Sequence, residues 1–419
     1  MEAVTLRADV HQQIEQVGHA DIVVGIPSFN SAHTIAHVVR AVQAGLAKYF
    51  PEHKAVLINS DGGSVDGTMD MVHRTSIADF DTILLHHRIE PVLKLAFPYT
   101  GIPGKGSAFR AVFEVAQALD AKACVVVDSD LRSITPEWIE LLLKPVLNGG
   151  FDYVAPLYHR HKFDGTITNS IVYPLTRALY GKRVRQPIGG DFGFSGKLAQ
   201  FYLSKDVWET DVARFGIDIW MTTTALANGF RVAQSFLGAK IHDAKDPGTD
   251  LSNMLYQVVS ATFQLMEDYD KKWLTVSGSE PVPTFGFEYG VGLEHVNVNT
   301  ARMLALFREG VQNLREIWLG ILGAGDLREV EQLAALDDAS FRFPLALWTR
   351  IIYDYALAFH RRQLPTEHLL KSLLPLYVGK TASFVLEVTP LAAHEAEDEI
   401  EKLCMEFERG KEYLRSQWK

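Results

Sequence analysis

The sequence predicts an α/β fold followed by a helical C-terminal domain, and three observations carry that prediction. From Asp21 to about Leu237, short β-branched runs alternate with segments of helical spacing, the pattern of βαβ units around a largely parallel sheet. After about Pro247 the strand-like runs disappear and long apolar-periodic stretches take over. Three polar loops, Pro27-Ser28-Phe29-Asn30, Ser60-Asp61-Gly62-Gly63 and Asp128-Ser129-Asp130, each follow an apolar run. In an open parallel sheet all three gather beyond the carboxyl ends of the strands, where such sheets bind ligands.

Taken in order, strands are expected at residues 22–26, 55–59, 82–85, 123–127 and 153–155, and helices between them at 34–49, 65–73, 107–119 and 136–147. The second part should hold helices at 252–269, 299–322, 343–360 and 367–377. The glycine-rich stretch 286–292 reads as a connection, and the acidic stretch 395–401 as a solvated helix face.

A chain of 419 residues suffices for two or three domains. With 47% hydrophobic and 22% charged residues it has the composition of a globular protein. A net charge of −10 argues against a general nucleic-acid binder and against anionic membrane surfaces. It still allows an anionic substrate, provided cations concentrate in one cleft. Cys124 and Cys404 form neither a disulfide framework nor a zinc motif, which fits a reducing cytoplasm. The first 20 residues carry acids where a signal peptide needs an apolar core. No apolar run is read as reaching the roughly 20 residues that span a bilayer, so no membrane span is expected.

The apolar run 123–127 ends in Asp128-Ser129-Asp130, placing two carboxylates at a strand tip where both can face one hard cation. Mg²⁺ or Mn²⁺ held there would bridge two phosphates and neutralise charge on a departing diphosphate. A turn or helix cap uses aspartates in the same places, so the motif alone leaves both readings open. Pro103-Gly104-Lys105-Gly106 precedes a helix, where backbone N–H groups and the Lys105 charge suit an anion; a plain surface turn would look the same. Residues 61–68 read either as a turn with a helix cap or as a contact to a nucleotide base or ribose.

Together, Pro27-Ser28-Phe29-Asn30, Ser60-Asp61-Gly62-Gly63-Ser64-Val65-Asp66-Gly67-Thr68 and Asp128-Ser129-Asp130 resemble the donor-site signature of GT-A glycosyltransferases, over about the first 130 residues. The order Gly104-Lys105-Gly106, Asp128-Ser129-Asp130, Gln186-Pro187-Ile188-Gly189-Gly190-Asp191, Phe215-Gly216-Ile217-Asp218 and His242 is similar to that of retaining mannosylglycerate and glucosyl-3-phosphoglycerate synthases, from about residue 22 to 260. The resemblance implies a GT-A fold, Rossmann-like, over 1–250, with a donor half at about 21–130 and an acceptor half at about 131–250. A helical domain over 251–419, able to support a homodimer, would follow.

By that resemblance the donor is a sugar nucleotide, UDP-glucose or GDP-mannose, and the cofactor is Mg²⁺ or Mn²⁺. Lys105 would touch the diphosphate, and Asp130 and His242 would bind the metal. Asp128 would hold the ribose or a metal-bound water. Asp218 would bind a sugar hydroxyl and stabilise charge, although a carboxylate at a helix start also serves the helix dipole. Asp218, Asp130 and Lys105 are thus the catalytic candidates. Pro27, Ser28, Asn30, Asp61, Gly104, Ser129, Gly189 and Gly190 would complete the donor site.

The stretch Arg160 to Asn169 resembles the acceptor loop of both enzyme groups, with Thr168 matching a shared threonine. Arg160 and Asp164 fall where mannosylglycerate synthases contact glycerate, and Gly165 lies between them and Thr166. Phosphoglycerate-using enzymes place a phosphate-binding arginine where this chain has Thr166. A hydroxyl cannot replace a bidentate guanidinium, which favours D-glycerate over 3-phosphoglycerate, with Arg160 and Lys162 left as other phosphate contacts. The resemblance implies retention of configuration; no carboxylate nucleophile for double displacement stands out. Metal, positioning and electrostatics would then carry the chemistry. Two other readings stay open: an inverting transferase using Asp191 or Asp218 as base, and a nucleotide-sugar-binding protein without transfer activity.

Overall fold

A computed structural model of the chain describes residues 6, 8–75, 93–98, 104–241, 251–290 and 296–418. Its contacts divide the chain into two compact units: Met1–His159 with Ile188–Ala244 and Val282–Gly292, and Arg160–Pro187 with Lys245–Pro281 and Leu293–Lys419. The first is α/β and the second is mainly helical.

The α/β unit is built on an eight-stranded sheet in the order Thr284–Phe285, Val232–Ala239, Tyr153–His159, Phe192–Ser195, Ala123–Val126, Ile22–Ser28, Ala55–Asp61, Leu93–Pro98. All neighbours run parallel except Phe192–Ser195, which is antiparallel to both of its partners. Every residue of Ile22–Ser28 is buried, as expected of a central strand covered on both faces. Ile22, Val24 and Ile26 on one face pack with Val125, Val127, Leu142 and Trp138 into a single core. That core fixes the height of the strand tips, and so the position of every loop that follows them.

Most expected elements appear. The helix expected at 136–147 is Pro136–Leu147, entered through a proline in its first turn. The helix expected from 65 begins at Thr68 instead. Asp66 Oδ1 accepts from the Thr68 N–H at 3.1 Å, and Gly67 takes φ +88°, which keeps the preceding residues in a turn. The expected strand 82–85 lies outside the described residues. The antiparallel strand Phe192–Ser195 has no long apolar run to mark it. Its Gly193 lets the helix Pro136–Leu147 lie close, since a Cβ there would fall 2.1 Å from the Leu142 carbonyl oxygen.

In the helical unit, the segment expected at 299–322 breaks at Leu314 into Thr300–Asn313 and Arg315–Leu319. The segment expected to stop at residue 377 runs on as Thr366–Val388, through Pro375. Gly310 of the facing helix makes room for that proline; a Cβ there would lie 2.3 Å from the Pro375 Cβ. This 23-residue helix corrects the expectation that no run is long and apolar enough to span a bilayer. Two-thirds of its apolar window (67%) is buried inside the structure, the environment of a core helix. Strand-like runs do not vanish after residue 247 either: Glu280–Pro281 pairs with Lys182–Arg183, and Thr284–Phe285 joins the edge of the main sheet.

The acidic stretch 395–401 is more than a solvated face. It lies in the helix Ala393–Gln417, where Glu401 and Glu408 hold the Arg177 guanidinium, 1% exposed, and Glu397 pairs with Arg185 at 2.9 Å. A buried guanidinium needs such partners to offset its lost hydration. Lys162 is also drawn into this unit. Its ammonium donates to the carbonyls of Val388, Thr389 and Leu391 at 2.8, 2.9 and 2.7 Å, satisfying the orphan acceptors at the end of Thr366–Val388.

Candidate active site

The carboxyl end of the strand Ala123–Val126 delivers Asp128 into a network of buried charges. Lys105, the first residue of the helix Lys105–Ala118, places its ammonium 2.8 Å from Asp128 Oδ1 and 3.3 Å from Asp218. Lys240, just beyond the strand Val232–Ala239, donates to Asp128 Oδ2 at 2.8 Å, to Asp191 Oδ2 at 2.8 Å and to the Gly189 carbonyl at 2.7 Å. Asp191 Oδ1 accepts from the Asp128 backbone N–H at 2.8 Å, and Tyr158 donates its hydroxyl to Asp191 Oδ2. Six separate stretches of chain thus meet at the carboxyl ends of the strands, as the parallel topology requires.

The glycines of this region serve close approach. Gly190 has φ +85°, and a Cβ there would sit 2.1 Å from Asp128 Oδ2. At Gly106 a Cβ would meet the Val212 carbonyl oxygen at 1.9 Å, and at Gly104 the Ala213 oxygen at 2.4 Å. The glycines flanking Lys105 therefore let the helix start press against residues 212–214, which aims the lysine at the two carboxylates. Pro103 lies outside the described residues.

Electrostatics follow from burial and pairing. Burial presses the Asp128 carboxyl upward, but Lys105 and Lys240 outweigh it and hold the group far below the usual carboxylate range. Burial works against the Lys105 ammonium, yet Asp128 and Asp218 hold it well above its usual value. Burial raises the Asp218 and Asp191 carboxyls, against the pull of Lys105 and Lys240 respectively. Two ammonium groups therefore meet Asp128, Asp191 and Asp218, with Asp130 two residues along, so carboxylates outnumber the cations.

The remaining sequence candidates fall into three groups. Ser28 and Asp61 are buried and face inward: Asp61 accepts from the Ser28 and Ser64 hydroxyls and from the Gly63 and Ser64 N–H groups, at 2.6 to 2.9 Å. With four donors already bound and 1% exposure, Asp61 forms the turn itself, and a base or ribose contact would require breaking it. Pro27 lies buried in the strand Ile22–Ser28. Asn30, at φ +49°, ties two loops together through the Ser64 hydroxyl and the Val65 N–H. Between them Phe29 is 64% exposed, its ring edge resting 3.3 Å from where a Gly62 Cβ would be. Ser129 is buried and meets the Ser31 hydroxyl at 2.9 Å, while its carbonyl accepts from Thr34 at 2.8 Å.

The expected acceptor residues lie in the other compact unit. Arg160 reaches Asp164 at 3.3 Å, Asp164 accepts from the Gly165 N–H at 2.7 Å, and Gly165 has φ +66°. The Thr166 hydroxyl meets the Tyr377 hydroxyl at 2.5 Å. Thr168, 7% exposed, opens the π-helical turn Thr168–Val172.

Three of the six side chains that make the network, Lys105, Asp128 and Asp218, are legible in the sequence. Asp191 is legible there only as a possible base. Lys240 and Tyr158 were missed, although a lysine at the end of the apolar run 232–239 was a usable signal.

The bonding of these residues decides whether they can hold a hard divalent cation. Both Asp128 oxygens are engaged by lysines, whereas the Asp130 carboxylate makes no hydrogen bond or ion pair among the described residues. His242 lies outside the described residues, and no group of three His, Cys, Asp or Glu is gathered among those described. The donor set fits a cation held by one carboxylate, with phosphate oxygens and water completing the shell, the usual manner of Mg²⁺.

No family model matches the chain, and no curated protein matches it. Among solved structures the chain is similar to glucosyl-3-phosphoglycerate synthase from Mycobacterium tuberculosis in complex with Mn²⁺, uridine diphosphate and glucosyl-3-phosphoglycerate. That alignment has a TM-score of 0.45 and 21% identity, covering 61% of this chain and 83% of that one. The same enzyme with Mg²⁺ and uridine diphosphate aligns at TM-score 0.44 and 20% identity, over 61% and 82%. A mycobacterial protein aligns at 0.43 and 19%, over 62% and 78%.

Proposed function

We propose that this chain is a metal-dependent glycosyltransferase that moves a hexose from a nucleotide sugar to a small hydroxy acid, with D-glycerate the acceptor and the anomeric configuration retained. The observation that carries the reading is the strand-tip network in which Lys105 and Lys240 lock Asp128 while Asp130 makes no bond among the described residues. A diphosphate brought to a site richer in carboxylates than in ammonium groups is repelled unless a divalent cation comes with it. When bound, the metal supplies Lewis-acid stabilisation of the leaving diphosphate. Asp130, with His242 by the resemblance, would hold it.

The chain's own residues do the rest. Lys105 would meet a phosphate oxygen of the donor, and Asp218, 3.3 Å from its ammonium, would accept from a sugar hydroxyl. Phe29, exposed beside Gly62, offers a flat apolar face to a nucleobase, a role that the sequestered Asp61 cannot fill without opening its turn. On the acceptor side Lys162 is engaged as a helix cap, and Arg160 pairs with Asp164. With both engaged, a threonine at position 166 in place of a bidentate arginine supports glycerate over its 3-phosphate.

The test is a matrix of UDP-glucose and GDP-mannose against D-glycerate and 3-phosphoglycerate with Mg²⁺ or Mn²⁺, read by product NMR. An α-linked glycosylglycerate is expected, lost with EDTA and in Asp130→Ala. Absence of product from every pair sinks the glycerate reading, and product unaffected by EDTA sinks the metal.

A further inference from the structure

Asp128 and Asp130 stand two residues apart at one strand tip, a spacing that lets both carboxylates face one hard cation. The folded chain uses Asp128 otherwise. Its Oδ1 meets the Lys105 ammonium at 2.8 Å and its Oδ2 the Lys240 ammonium at 2.8 Å, so each oxygen already faces a positive charge. The Gly190 backbone crowds Oδ2 as well, since a Cβ there would lie 2.1 Å from it.

The two lysines are not equivalent. Lys105, its side chain 16% exposed, stands at a helix start, where an arriving diphosphate can draw its ammonium away. Lys240 is 4% exposed, and the three N–H donors of its ammonium are taken by Asp128 Oδ2, Asp191 Oδ2 and the Gly189 carbonyl. Asp191 is fully buried and fastened in turn: Tyr158 donates to its Oδ2, and the Asp128 N–H to its Oδ1. Asp191 therefore holds Asp128 twice, directly at the backbone and through Lys240 at the carboxylate. Breaking a buried ion cluster strands a charge, so the bridge keeps one arrangement while the outer lysine can move.

We propose that Lys240, held by Asp191, is a positioning residue that withholds Asp128 from a divalent cation, so that the nucleotide-free protein binds the cation weakly and takes it up together with the diphosphate. The inference rests on the metal-dependent reading above and extends it to the order of binding. The charge count of the ligands sets the affinity for a hard cation, and with Asp128 withheld the strand tip offers the Asp130 carboxylate alone. The diphosphate then supplies the negative charge that Asp128 does not. A cation held by both aspartates would keep fewer positions for phosphate oxygens and would stay behind when the diphosphate leaves.

The test is Mn²⁺ binding to the full chain without nucleotide, followed by the electron paramagnetic resonance of free Mn²⁺. Lys240→Met combined with Asp191→Asn removes the bridge without stranding a buried carboxylate, and the net charge of −10 is kept because one charge of each sign is lost. Mn²⁺ should bind this double variant at least about tenfold tighter than the native chain, and adding Asp128→Asn should abolish the gain. Lys240→Gln, which keeps a neutral donor in the bridge, should shift affinity in the same direction and serves where the double variant does not fold. UDP should tighten Mn²⁺ binding more in the native chain than in the double variant. Equal Mn²⁺ affinity in the native and bridge-free chains, or a gain that survives Asp128→Asn, overturns the proposal. Mn²⁺ binding that UDP leaves unchanged in the native chain sinks the metal-dependent reading with it, whereas UDP-dependent binding without a gain in the variants sinks this inference alone.

Discussion

Lys240 bonds Asp128, 112 residues upstream, and Asp191, 49 residues upstream, and its own side chain is 4% exposed. Removing it leaves the fully buried Asp191 carboxylate without its ammonium beside the part-buried Asp128, which keeps Lys105. Lys240→Met should therefore lower unfolding stability by ~3–5 kcal/mol, the usual result of deleting one partner of a buried pair. Adding Asp191→Asn should restore part of that loss, since one stranded charge then disappears. Urea denaturation of the single and double variants checks this, and a single variant as stable as the native chain would show that the network contributes nothing. The candidate residues at this scale were only half legible. Asp128 and Lys105 carry local signatures, a strand-tip aspartate and a glycine-flanked lysine. The function of Lys240 depends on which distant carboxylates it meets, and no local pattern records that. Asp61 teaches the converse: its motif is plain in the sequence, yet four donors turn it inward.

At the scale of elements, helix ends decide much of what surrounds the acceptor candidates. The helix Thr366–Val388 ends with three carbonyls on one ammonium, that of Lys162. Lys162→Met keeps the stem and removes the cap, so it should cost about 1–2 kcal/mol and increase hydrogen exchange in residues 385–391. Exchange unchanged there would mean that the carbonyls find water equally well. The sequence read Lys162 as a loop residue available to substrate because its 226-residue reach to Val388 is invisible along the chain. Helix starts were easier to place. Pro136 and the glycines around Lys105 mark theirs locally, whereas Gly67 and Asp66 delay one by a turn whose geometry needs the folded backbone.

For the whole molecule, pH dependence offers a further test. Asp354 in the helical unit is 5% exposed, and burial pushes its carboxyl from 3.8 up to about 6, with Tyr413 donating to it at 2.5 Å. A carboxyl whose folded value exceeds its unfolded one binds its proton more tightly when folded. Its charged form therefore destabilises the fold above about pH 6, and that penalty fades as pH falls toward 4. Asp354→Asn should stabilise the protein by ~1–3 kcal/mol at pH 8, with the gain vanishing near pH 4. A difference between variant and native chain that stays flat over this range would refute the assignment. The net charge of −10 has a related consequence: the acidic excess is tolerated at the strand tips because two lysines are folded into the site.

By itself the sequence determined the alternation of strands and helices, the change to a helical second part, and the strand-tip aspartates, because periodicity, caps and turn residues act within a few positions. Tertiary structure alone decided which of these residues face one another. It put Phe192–Ser195 antiparallel into the sheet, drew residues 160–187 into the helical unit, saturated Asp61, left Asp130 without a partner among the described residues and paired Lys240 with two aspartates. The reason is physical: a charge or carbonyl buried by packing must be met by whatever group the topology brings within about 3 Å, and that neighbour is set by the whole chain.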